Sequence, residues 1–221
     1  MVSPSQTFRW LAFLLLGVAA GCSLPVETPP TARAETVRAS AGLLLAPAWS
    51  HDAPLPPDSV YRLDFPLRTA DGSIAGLDLY RGHPVLVTGI PDGCPRSCAA
   101  LVGNLRAIEA HLGPAAQADL RVLLFVLDDG PTPTDLADLP RDLHLDPHRW
   151  TVAHTTSAHL GELGAVLGLR LRPDPGRAAD VGGVFAVLDR NGRLVERIDS
   201  VAPDASERVG ALWQPRGSPD R

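Results

Sequence analysis

The stretch from Val85 to Leu112 constrains what this chain can fold into more than any other. Val85 to Ile90 (V-L-V-T-G-I) is a short, continuous apolar run, the pattern of a central strand buried on both faces. Pro91-Asp92-Gly93 breaks the run, and Cys94-Pro95-Arg96-Ser97-Cys98 opens the next element. Leu101, Leu105, Ile108 and Leu112 then recur at helical spacing until Gly113-Pro114 ends the helix.

The flanking pattern extends this unit into an α/β domain. Tyr61–Leu67 and Ile74–Leu79 bracket Asp71-Gly72 and predict an N-terminal β-hairpin. Leu120 to Leu127 predicts a second buried strand, and Asp128 to Asp138 a loop with a short helix. Leu160, Leu163 and Leu167 mark another helix, capped near Ser157. Val184–Leu188 and Leu194–Ile198 flank Asn191-Gly192, a second hairpin signal, and a last helix is expected from about Pro203 to Trp213. A buried strand followed at once by a cysteine-bearing helix, in this order of elements, predicts a thioredoxin-like fold with a central mixed sheet flanked by helices.

The start of the chain predicts export. Arg9 precedes an apolar stretch, Trp10 to Ala20, that ends in small residues at Gly21-Cys22. A charged start, an apolar run of about 7–15 residues and a small-residue cleavage site describe a secretory signal. That run is shorter than the ~20 apolar residues of an ordinary spanning helix. Ala19-Ala20-Gly21-Cys22 resembles a bacterial lipobox, which implies that Cys22 is lipidated and becomes the new N-terminus. The expected organisation is a signal peptide over 1–21, a lipid-anchored Pro/Ala-rich tether over 22–57, the folded domain over 58–214 and a tail over 215–221. The expected location is the periplasmic face of a membrane in the cell envelope. All 20 basic residues are Arg, the net charge is -5, and no basic run or aromatic–basic interleaving occurs, so nucleic acid is not an expected partner.

Three cysteines minus a lipidated Cys22 leave one pair, Cys94 and Cys98, and in an oxidising compartment such a pair reads as a disulfide or redox couple. Pro95 suits the first helical position. Cys94 at the cap would present its sulfur to the positive end of the helix dipole, near Arg96, which favours thiolate. Residues four apart on a helix lie on one face with Cα atoms about 6 Å apart, inside the disulfide range of roughly 4.4–6.8 Å. Two convergent thiolates also make a soft site suited to Cu(I). As a mere staple the pair would close too short a loop to stabilise the fold much.

The ordered motifs resemble the Sco/SenC family of exported thioredoxin-fold proteins. R-G-H-P-V-L-V (Arg81 to Val87) and the C-P-R-S-C segment are similar to the family's strand and C-P-x-x-C-P. V-L-D-D-G-P-T-P (Val126 to Pro133), Arg149-Trp150-Thr151 and V-F-A-V-L-D-R-N-G (Val184 to Gly192) follow in the family's order. The resemblance spans about Tyr61 to Ile198. It implies a role in copper-site assembly of cytochrome c oxidase, with Cys94 and Cys98 as Cu(I) ligands and the oxidase's copper-site subunit, or another envelope thiol protein, as partner. The family's third ligand, a histidine in D-H-S, falls at Val181, and valine ligates no copper. Ala99 stands where the family has a proline after the second cysteine.

None of the other histidines is expected to replace that ligand. His83 precedes the central strand, and His154 and His159 are placed near the start of a helix as surface or capping residues. Asp128, Asp129 and Asp135 read as a solvated turn, not a hard-cation site. Pro91 stands where a peroxiredoxin has threonine, and three residues, not two, separate the cysteines, unlike a general thioredoxin. The leading expectation is copper delivery, thiol–disulfide chemistry, or both, with Cys94 attacking and Cys98 resolving. Two alternatives stay open: a copper-independent thiol–disulfide reductase of envelope proteins, which the valine favours, and a non-catalytic binding lipoprotein.

Overall fold

The structure, a computed structural model, describes residues 53–91, 95–127, 136–171 and 183–213. Cys22, Cys94, Asp128, Asp129, Asp135 and Val181 lie outside them, as do the signal and nearly all of the tether. No helix among the described residues is long and apolar enough to cross a membrane.

Seven strands form one sheet: β1 (Leu67–Thr69), β2 (Ile74–Ala75), β3 (Val85–Pro91), β4 (Arg121–Leu127), β5 (Trp150–His154), β6 (Val184–Leu188) and β7 (Leu194–Asp199). Their spatial order is β2-β1-β5-β4-β3-β6-β7. The three central strands β5, β4 and β3 run parallel, and β1, β2, β6 and β7 join antiparallel. The helices are α1 (Pro95–His111), α2 (Pro114–Asp119), α3 (Leu139–Asp142), α4 (Ser157–Leu167) and α5 (Ala205–Trp213).

Alternation along the central strands builds a core on each face. Leu86 and Ile90 of β3 and Val122, Leu124 and Val126 of β4 meet α1 through Leu101, Leu105 and Ile108, and α5 through Val209 and Leu212. On the other face Val85, Val87, Leu123 and Phe125 meet Leu160, Leu163 and Leu167 of α4, together with Tyr61 and Tyr80. Helices cover both faces, which is why β3 and β4 read as unbroken apolar runs.

Four local expectations need correction. Tyr61 to Pro66 is not strand: Val60–Arg62 is a 3₁₀ turn capped by Ser59, whose Oγ accepts from the Tyr61 N–H. Leu77–Tyr80 is likewise a 3₁₀ turn, so the first hairpin keeps only β1 and β2 around Gly72. The cap of α4 is Thr156, one residue earlier than expected, with its Oγ1 accepting from the His159 N–H. His154 does not begin a helix and is not on the surface; it ends β5 and is buried. β5 itself is not anticipated. Trp150-Thr151-Val152-Ala153-His154 shows neither a continuous apolar run nor clean alternation, and its neighbours β4 and β1 make it a strand.

Candidate functional site

β3 carries the chain to the carboxyl end of the parallel strands, and only residues 92–94 separate Pro91 from Pro95, the first residue of α1. Cys98 therefore sits at the end of the first helical turn, against the end of the central strand. Its side chain points inward: it is 1 % exposed and joins Ile90, Leu101 and Val102 in the core. Cys98 is disulfide-bonded. The other two cysteines, Cys94 and Cys22, both lie outside the described residues.

Two further connections meet the sheet at this end. Pro91 is level with Leu127 in the β3–β4 ladder, and Phe125 with Ala153 in the β4–β5 ladder. The segment with Asp128, Asp129 and Asp135 thus leaves β4 on the same side as the cysteine turn leaves β3. β6 runs antiparallel to β3, so the segment that holds Val181 enters β6 from that side too. The crevice beyond the carboxyl ends of parallel strands is the usual ligand position in open α/β sheets.

Thr88, a residue that the sequence does not single out, braces this end of the sheet. The β3–β6 ladder ends at Val87↔Ala186, and beyond it the fully buried Thr88 Oγ1 donates to the Val184 carbonyl at 2.9 Å. This bond fixes where the chain enters β6 beside the end of β3. The only sequence signal is one hydroxyl inside an apolar run.

The histidines go elsewhere. His83 lies at the amino end of β3, with Nδ1 3.1 Å from Asp119 Oδ1, at the opposite end of the strand from Cys98. His159 stacks on Phe65 with ring centroids 4.7 Å apart, and its Nδ1 lies 3.1 Å from Thr155 Oγ1. His154, 4 % exposed, shares the sheet face of Trp150 and Val152, the face covered by α1. Two strand spacings separate β5 from β3, roughly 10 Å. Among the described residues no group of three His, Cys, Asp or Glu side chains is placed to hold a metal ion.

Further down α1, Glu109 is buried beside Arg149, with Oε1 3.2 Å from Nη1. Burial raises its carboxyl above the ordinary value, and the Arg149 guanidinium opposes that shift only in part. This pair belongs to the scaffold and not to the cysteine end.

No family model matches the chain, and neither does any curated protein. Solved structures do. A candidate electron transfer protein from Aquifex aeolicus VF5 aligns with a TM-score of 0.56 at 23% identity, over 74% of this chain and 92% of that one. BsSco, a member of the Sco family of cytochrome c oxidase assembly proteins in which a disulfide switch was identified, aligns at 0.51 and 17% identity, over 67% and 91%. ScoI of Arabidopsis thaliana, with copper bound, aligns at 0.51 and 11%, over 67% and 93%. The fold is thioredoxin-like. With its mixed sheet and covering helices it matches that of the Sco proteins, and at these identities the likeness is one of fold.

Proposed function

We propose that this chain is a Sco/SenC-like protein of the cell envelope. It acts in copper-site assembly of cytochrome c oxidase through thiol–disulfide exchange at Cys94 and Cys98, with Cu(I) as cargo of the reduced pair. The observation that carries the reading is Cys98: buried, disulfide-bonded and set where the central strand turns into α1. The ordered family-like motifs and the shared fold support it. Lipidation at Cys22 would hold the domain at the membrane.

The chemistry follows from the arrangement. The Cys94 thiolate attacks one sulfur of a client disulfide, which forms a mixed disulfide and releases the other client sulfur as thiolate. The Cys98 thiolate then attacks Cys94 Sγ, closing the Cys94–Cys98 disulfide and expelling the second client thiolate. Two electrons pass to the client, whose two thiolates take up two protons. Run in reverse, the oxidised pair oxidises a client dithiol. As cargo, Cu(I) suits two thiolates in a low-coordinate site, whereas Cu(II) wants nitrogen or oxygen donors, and Val181 supplies none.

Cu(I) competition on the reduced and the oxidised domain tests the proposal. One equivalent held by the reduced form and none by the oxidised form is the expected result. No binding in either state removes copper delivery. That outcome leaves copper-independent thiol–disulfide exchange, the reading that Val181 favours. Loss of neither copper binding nor exchange in a variant with both Cys94 and Cys98 replaced by Ser overturns both.

A further inference from the structure

At the opposite end of the sheet from Cys98 lies a cleft of about 660 Å³, within the range of pockets that enclose small ligands. One wall is the last turn of α1 and the start of α2, with Leu112, Pro114 and Ala116. The facing wall is α5, where Glu207, Gly210 and Trp213 follow one another at three-residue spacing on one side of the helix. Gly210 keeps the cleft open. A Cβ there would stand 3.5 Å from His111 Cδ2, so any longer side chain would project into the space. Glycine within a helix is disfavoured by backbone entropy, and here what it provides is room.

The two ends of this slot differ chemically. Trp213 closes one end; it is 6 % exposed, and its Nε1–H, buried, meets no acceptor among the described residues. Buried donors without partners are rare in native structures. Glu207, about 9 Å away along the helix at 1.5 Å per residue, is exposed and forms no ion pair among the described residues. On the rim Asp119 and Arg190 neutralise each other in a two-bond ion pair, and Arg190 Nη1 also donates to the Gly82 carbonyl. The unbalanced charge of the cleft is therefore the Glu207 carboxylate.

We propose that this cleft binds a small aromatic monocation. The charge lies toward Glu207 and the ring occupies the slot over Gly210, with the Trp213 indole at the far end. The attraction combines carboxylate pairing with the apolar and aromatic walls. The site is separate from the cysteine chemistry and does not depend on it.

The test uses the full chain at pH 8 with three probes of one shape: 4-methoxybenzylamine, the neutral 4-methoxybenzyl alcohol and the anion 4-methoxybenzoate. The readout is the indole N–H resonance of Trp213, assigned with Trp213→Phe. The amine is expected to shift that resonance saturably, with the alcohol and the benzoate at least about tenfold weaker. Glu207→Gln is expected to bring the amine down to the level of the alcohol, and Gly210→Leu to abolish binding of both. If Gly210→Leu fails to fold, Glu207→Gln, on an exposed residue, still decides. The proposal is overturned if the amine does not shift the resonance, if all three probes bind alike, or if Glu207→Gln leaves the preference for the amine intact.

Discussion

A client sulfur would find almost no surface at Cys98, which is 1 % exposed within the core, so under the proposed function the first contact has to be made by a more accessible partner. Under the proposed assignment Cys94→Ser blocks the first step of exchange altogether. Cys98→Ser leaves that step intact and strands the reaction as a mixed disulfide on Cys94. Incubation with oxidised glutathione followed by intact-mass analysis distinguishes the two: a stable single adduct in Cys98→Ser and none in Cys94→Ser. Glu109 allows a second prediction at this scale. Burial raises its folded-state carboxyl value, so its contribution to stability is complete below the ordinary carboxylate range and is lost as pH rises through the raised value. Burial acts in the same direction on Asp189, although the N–H groups of Asn191 and Arg193 offset it in part. The urea midpoint is expected to fall between pH 4.5 and 7.5, and Glu109→Gln to shrink that difference. Cys94 and Cys98 are candidates from the sequence alone, because reactive residue types at a four-residue spacing need no structural partner to be noticed. Thr88 is not, because its role rests on a carbonyl 96 residues away in the chain.

Turns and caps show where local sequence decides and where its surroundings do. Gly72 and Gly192 occupy the two hairpin turns with φ of +83° and +74°. A Cβ on Gly72 would meet nothing within 4 Å, whereas one on Gly192 would stand 2.7 Å from the Tyr61 ring and 2.9 Å from Ser59 Oγ. Gly72→Ala is expected to cost about 1–2 kcal/mol, the left-handed backbone alone. Gly192→Ala should cost about 2–4 kcal/mol, since a clash in a packed corner adds to it. Thr156→Ala, which removes the cap of α4, should cost about 1 kcal/mol. Urea unfolding of the three variants checks the order. Both turn signals were legible because glycine at a positive φ is a local requirement. The segment from Tyr61 to Pro66 was misread because Ser59 captures the Tyr61 N–H and coils the chain before a strand can form. β5 stayed hidden because a strand between β4 and β1 owes its state to its neighbours and not to its own pattern.

At the scale of the whole domain, the long buried runs of β3 and β4 and the apolar stripes of α1 and α4 were sufficient to predict a mixed sheet covered on both faces. Phe125 sits at the middle of that arrangement, fully buried in β4. Phe125→Ala is expected to cost about 3–5 kcal/mol, and far-UV and near-UV circular dichroism should lose their signals together on heating. The cleft beside α5 was not legible, because His111, Arg190 and Trp213 are far apart in sequence and only the fold brings them together.

The described part of the chain enters at a particular place. The Ala53 carbonyl accepts from Arg81, Asp58 pairs with Arg193, and Ser59 Oγ donates to the Asn191 carbonyl, all where β3 begins and the β6–β7 turn lies. The seven residues of β3 place roughly 20 Å of sheet between that entry and the turn into Cys98. The anchored entry of the described chain and the turn into the cysteine helix therefore lie at opposite ends of β3.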